Sequence, residues 1–218
     1  MQTEPRVPWD TEDVEHVPTR QRLLDRTIEV LDAEGVPGVK VHPIAAAAGV
    51  TVPSVYHFFG SKEGLIEAAQ SERYSRVLLD SSRRFSLGVE DCADAAEFRD
   101  RCTNALLGFC DADGAERRLS RINALGSAYA HPGLLASINE SQVVASSAFA
   151  EVIAKAQERG WIRPEVDPQV AAVWLMGSLL GRILIEMGPN PVDEGKWNQL
   201  FLDMAFMLLF GEAADRIA

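Results

Sequence analysis

Cysteine, clustered histidine and uninterrupted apolar sequence are all scarce in this chain, and each shortage removes a class of function. Among 218 residues there are three cysteines, Cys92, Cys102 and Cys110. None forms a Cys-x-x-Cys pair, and an odd count suits a reducing compartment without a disulfide framework. The four histidines, His16, His42, His57 and His131, are scattered, and nothing pairs them as metal ligands at helical spacing. No Gly-x-Ser-x-Gly elbow, His-Glu-x-x-His pair, phosphate-binding glycine loop or dinucleotide fingerprint occurs, so no catalytic residue and no cofactor is expected. The most membrane-like stretch, Val170 to Gly188, is broken by Arg182 and Glu186 and keeps only 12 uncharged residues up to Gly181. That is too few to span a bilayer. The first residues are acidic, with no secretory signal, so the expectation is a soluble, cytoplasmic protein without a membrane partner.

Positive charge is short too. The chain carries 21 basic against 32 acidic side chains, a net charge of −11, which argues against indiscriminate nucleic-acid binding. Low complexity, internal repeats and strand-like alternation are absent, while a 47% hydrophobic content is ample for a core. The expected fold is all-α.

What the chain does have is concentrated at residues 43–65, PIAAAAGVTVPSVYHFFGSKEGL. Ile44 to Ala48 reads as one short helix, and Gly49 suits the left-handed residue that ends it. Thr51 is a good N-cap for a second helix, with Pro53 in its first turn, where a missing N–H costs nothing. That helix stops near Phe59-Gly60, and Ser61 caps a third. Two helices joined by a short turn containing glycine make a helix-turn-helix. The balance over 19–65 is 5 basic against 5 acidic residues, so this unit is neutral, in tension with a DNA-binding role. Helix N-termini can still donate backbone N–H groups to phosphate without net charge.

The spacing Gly49-Val50-Thr51, Tyr56, Phe59, Ser61-Lys62-Glu63, Leu65 resembles the DNA-binding signature of the TetR family of bacterial transcription regulators. The likeness extends upstream, where Thr19 to Gly35 looks like the family's first helix, with Leu23, Leu24, Thr27, Ile28 and Leu31 on one face. It implies an N-terminal helix-turn-helix domain at 19–65 and a helical effector-binding and dimerisation domain at 66–218; residues 1–18, with three prolines among five acids and little core material, read as a disordered tail. The recognition helix should lay Thr51, Val52, Pro53 and Ser54 against base edges. Tyr56, His57 and Lys62 match family positions that usually hold the sugar-phosphate backbone, and Arg20 or Arg22 is expected to add a phosphate contact from the first helix. Val52 and Pro53 depart from the family, which often has a polar or basic residue and a glycine there, leaving more of the specificity to methyl contacts and DNA shape.

Beyond the motif a longer helix is expected from Lys62 to about Leu79, then a loop from Ser81 to Asp91. Helices should follow at about 93–111, 115–130, 133–159, 168–187 and 195–211, with Asp167-Pro168 as a cap and first-turn proline. The last two are apolar nearly all round, so one face needs a partner. The resemblance supplies one, a homodimer formed through the C-terminal helices, and Trp174, Gly177, Ser178, Gly181, Phe201, Met204 and Leu208 are the interface candidates. A small, largely hydrophobic effector is the other implied partner beside a double-stranded DNA operator, with Phe109, Arg121, Asn123, Tyr129, His131 and Trp174 as candidate contacts. Arg182, four residues before Glu186, is a further candidate, but its spacing also suits a simple ion pair. Cys102 and Cys110, eight apart, are read as sharing a helix face in the core rather than sensing redox state. Together these features predict a ligand-responsive repressor. The competing classes are a helical carrier or enzyme with an incidental helix-turn-helix, and a module whose motif contacts protein.

Overall fold

A computed structural model describes residues 17–89, 91–189 and 192–212, and among them every regular element is helical. Residues 1–16 of the expected tail lie outside the described residues. The chain divides into two compact units, Met1–Ala69 and Gln70–Ala218.

The first unit contains α1 (Thr19–Gly38), α2 (Val41–Ala47), α3 (Val52–Phe59) and the start of α4 (Lys62–Val89). α1 is interrupted at Gly35 (φ 68°, ψ −169°), so the turn expected at Val36-Pro37-Gly38 follows that break. Leu23, Leu24 and Leu31 face inward to meet Ile44, Ala45, Val55, Leu65 and Ala69 in a small core. Leucines this deeply buried typically cost about 2–5 kcal/mol when cut back to alanine. Thr27, also inside, satisfies its hydroxyl by donating to the Leu23 carbonyl at 2.7 Å. α2 begins at Val41, ahead of the expected start at Ile44, because buried Val41 already belongs to that core.

α4 leaves this unit and continues in the second, without the loop expected from Ser81. The sequence there looks breakable, but Ser81, Ser82 and Arg84 each find an intrahelical partner. The Ser81 hydroxyl donates to the Val77 carbonyl at 2.7 Å and that of Ser82 to Leu79 at 3.0 Å. Arg84 pairs with Asp80 one turn back, and Phe85 stacks on Phe149 with ring centres 4.6 Å apart. Packing thus carries the helix past the serines.

The second unit continues with α5 (Ala95–Gly108), α6 (Ala112–Ala128), α7 (Pro132–Glu158), α8 (Pro168–Gly181), α9 (Ile183–Glu186) and α10 (Glu194–Phe210). Asp94, Asp111, Asp167 and Asp193 cap α5, α6, α8 and α10, each accepting from a backbone N–H three residues on. α7 packs along α6 and α8, while α10 lies against α8 and α5. The helix expected over 168–187 is broken at Arg182. By length and composition Pro168–Glu186 could cross a membrane, yet Arg182 and Glu186 are held in an ion-pair cluster inside this unit. All three cysteines are buried and none forms a disulfide among the described residues, and burial pushes the Cys102 thiol up to about 12. Cys102 and Cys110 do not share a helix, since α5 ends at Gly108 and Cys110 lies beyond it.

Candidate nucleic-acid interface and ligand cavity

The turn between α2 and α3 is fixed by Gly49, whose φ of +67° a side chain would oppose. Gly49 N–H donates to the Ala46 carbonyl at 3.1 Å and Val50 N–H to Ala45 at 2.9 Å, the paired closure of a Schellman end. Thr51 occupies the N-cap position of α3, but its hydroxyl does not cap the backbone. It lies 3.0 Å from the Ser54 hydroxyl instead, so the two present a joined pair of donors and acceptors at the helix start. Ser61 does cap, accepting from Gly64 N–H at 2.9 Å. Gly64 is also where α4 passes closest to the end of α3, since an added Cβ would fall 2.1 Å from the Phe59 carbonyl oxygen. No side chain fits there.

Val55 faces inward, and most of the rest of α3 is open. Thr51, Pro53, Tyr56 and His57 are exposed, Val52 and Ser54 are half-buried, and Tyr56 is directed away from the core. Phe59 packs on the core with the Arg20 guanidinium 5.5 Å above its ring. Phe58, which sequence reasoning passed over, is exposed and lies edge-on to His57. The alternating inward and outward positions of α3 could have revealed it. Of the two arginines considered for phosphate, Arg22 is occupied: it donates to the carbonyls of Ala48 at 3.2 Å and Val17 at 3.0 Å. Arg26 pairs with Glu29. Arg20 and Lys62 make no ion pair among the described residues.

In the second unit the candidate ligand contacts separate. Phe109 and Arg121 line one cavity with Leu78, Phe149, Met176 and Leu179. Asn123 and Tyr129 are not among its walls; both are exposed, Tyr129 by 95%. His131 is also outside it, at the residue before α7. Trp174 lines a different, open groove with Val170, Met204, Met207 and Leu208. Arg182 is engaged with Glu186, Glu194 and Asn198, which supports the ion-pair explanation of its spacing. Glu186 also accepts from Arg118, whose Nε lies 2.9 Å away. Burial alone would raise the Glu186 carboxyl, but Arg118 and Arg182 together hold it below the usual range.

The interface candidates separate as well. On α8, Ala171, Ala172, Leu175, Met176 and Leu179 turn inward, whereas Val170, Val173, Trp174, Gly177 and Gly181 turn outward. On α10, Phe201, Leu202, Ala205 and Leu209 are buried, and Leu200, Met204 and Met207 are exposed. Phe201 therefore belongs to the core, stacked on Trp197 at 5.6 Å, and is not available to a partner. Ser178 and Leu208 are half-buried. A Cβ built on Gly177 or Gly181 meets nothing within 4 Å, so their small size answers no need of the single chain.

Residues 23–69, which contain this helix-turn-helix, match the family described as bacterial regulatory proteins, tetR family. The HTH-type transcriptional regulator BetI of Burkholderia mallei is 26% identical over 180 residues, covering 76% of this chain and 84% of its own. A TetR-family transcriptional regulator from Rhodococcus sp. superimposes with a TM-score of 0.63 at 24% identity, over 88% of this chain and 98% of its own. A transcriptional regulator from Saccharomonospora viridis, solved in complex with choline, gives 0.62 at 18% identity, over 90% and 98%. The last two likenesses concern the fold alone. The BetI relative is named as a transcriptional regulator. Residues 23–69 thus match the tetR-family DNA-binding model, and the chain as a whole is similar to TetR-family transcriptional regulators in sequence and helical architecture.

Proposed function

We propose that the protein is a homodimeric repressor that reads a palindromic operator and is released from it by a small molecule. The observation that carries this reading is the double-faced pair α8 and α10. One apolar face is consumed in the core, and the other, from Val170 through Trp174 to Met204 and Met207, remains exposed around the unfilled space at Gly177 and Gly181. Exposed apolar surface of this kind, next to glycines that admit a close backbone, suits a second copy of the chain. Two copies related by a two-fold axis present two α3 helices, and reading successive major grooves requires them about 34–36 Å apart. In that placement Thr51, Val52, Pro53 and Ser54 meet base edges, while Arg20, Tyr56, His57 and Lys62 hold the backbone. α4 belongs to both units, so a ligand that shifts it in the second unit also moves its first turn in the first. The choline complex of a structural neighbour supports a small-molecule role for this fold.

Sedimentation tests the assembly. The native chain should be a dimer in dilute solution, and Gly181→Leu should shift it toward monomer while leaving helicity and melting of the monomer intact, because the added side chain meets open space. A native chain that sediments as a monomer at micromolar concentration contradicts the reading. Effector action is tested by linkage: a compound that weakens operator binding by some factor must bind the operator complex more weakly by the same factor.

A further inference from the structure

We infer that the cavity between α4, α6, α7 and α8 is a site for a small organic monocarboxylate, with Arg121 as the residue that recognises the acid. The inference rests on the ligand-responsive reading above and specifies the chemistry of its effector. One wall and floor are apolar: Leu78, Phe109, Phe149, Met176 and Leu179. The other wall is a single stripe of α6 bearing Arg117, Arg118 and Arg121.

Two of these guanidinium groups have their charge met. Arg118, almost wholly buried, donates to both oxygens of Glu186 and to the Phe109 carbonyl. Arg117 approaches Asp111 at 3.6 Å. Arg121 has no acidic partner among the described residues, and its Nε is buried without an acceptor. Its guanidinium lies 5.9 Å above the ring of Tyr74, whose buried hydroxyl is the other unsatisfied side-chain atom among the described residues. Three guanidinium groups thus face two carboxylates. A buried donor without an acceptor is costly, and a ligand that supplies one recovers that cost.

The overall charge points the other way, which sharpens the inference. At −11 the protein repels anions from most of its surface, so affinity for an acid has to be local. A cationic ligand, conversely, is favoured by the whole molecule and opposed only here. Size is bounded as well. The cavity measures about 40 Å³, and a neighbouring one of about 200 Å³, lined by Arg84 and Phe85, shares Phe109 and Arg117 with it. Each is below the roughly 300 Å³ at which drug-sized pockets begin, so the acid is small. Phe149, stacked on Phe85 and tilted against Phe109, gives the space an aromatic wall.

Calorimetric titration of the full chain separates head-group charge from body. Acetate and propionate are each compared with the alcohol and the ammonium compound of the same skeleton. At least one acid should bind about tenfold or more tightly than its alcohol, as a charge-assisted hydrogen bond in a buried site requires. Arg121→Gln should abolish that preference and leave the alcohol's affinity unchanged, Arg121→Lys should keep part of it, and exposed Arg83→Gln should change nothing. An alcohol or ammonium compound that binds as well as its acid overturns the carboxylate assignment but leaves a ligand-responsive regulator standing. Failure of all six to bind, or an acid preference that survives Arg121→Gln, also overturns it. The ligand-responsive reading falls separately, only if no tight binder alters operator affinity.

Discussion

Replacing Glu186 by glutamine tests the electrostatic core of the second unit. The carboxylate accepts from Arg118 through both Nε and Nη2 and from Arg182 through Nη1, and only 10% of its side chain is exposed. Glutamine keeps a single acceptor oxygen and turns an NH2 toward two cations. The loss falls unequally. Arg182 retains Asn198 at 3.1 Å and Glu194 at 2.7 Å, whereas Arg118 retains only the Phe109 carbonyl. Breaking a buried pair by removing one partner typically costs about 3–5 kcal/mol, and the surviving contacts of Arg182 place this case near the lower end. For a chain of this size about 3 kcal/mol corresponds to a fall in Tm of roughly 6–12 °C. Glu194→Gln is the control. That carboxylate is 65% exposed, so its loss should cost no more than about 1 kcal/mol. The pH dependence carries a definite sign. The Glu186 carboxyl is held below its ordinary value near 4.5, so its stabilisation is present above that pH and is lost as the pH falls below it. The difference in Tm between native and Glu186→Gln protein, followed by circular dichroism, should be full at pH 7 and shrink in acid. If the two melt together at pH 7, or if Glu194→Gln is the more damaging change, the cluster does not hold the unit as described.

Three further outcomes are expected. Lys62→Ala should weaken binding to all DNA sequences alike and reduce the slope of log affinity against log salt by about 1, measured by fluorescence anisotropy; an unchanged slope excludes a phosphate contact there. Gly64→Ala should disrupt DNA binding and lower the melting temperature, because its Cβ would overlap the Phe59 carbonyl; a variant with native DNA affinity would show that α3 and α4 need not approach so closely. The folded protein should lose stability as pH rises from about 9 toward 12, by about 1.4 kcal/mol per unit for Cys102 alone, because only the unfolded chain can release that proton freely; Cys102→Ala should flatten this alkaline limb in urea melts.

Legibility in the sequence followed how local each determinant is. The helix-turn-helix could be read because Gly49 and Ser61 set their own backbone through bonds to near neighbours. The caps at Asp94, Asp111, Asp167 and Asp193 are equally local. Features that depend on a distant partner could not be read. Glu186 pointed to Arg182 four residues away, but nothing indicated Arg118, sixty-eight away. Phe85 carries α4 past its serines only because Phe149 on another helix stacks against it. Asn123 and Tyr129 were chosen by residue type, but both face solvent, which residue type alone does not reveal. Phe201 illustrates the same limit: an all-apolar helix shows that two faces exist, not which residue lies on which.

Paired recognition helices are what palindromic operator binding requires, and a footprint of the protein on the DNA flanking its own coding region tests that most directly. Two protected half-sites of inverted sequence are predicted, about one helical turn (10–10.5 base pairs) or a multiple of it apart, bound with one dimer and altered in sequence preference by Thr51→Ala or Ser54→Ala. A single unpaired protected site, or protection that ignores both substitutions, contradicts it.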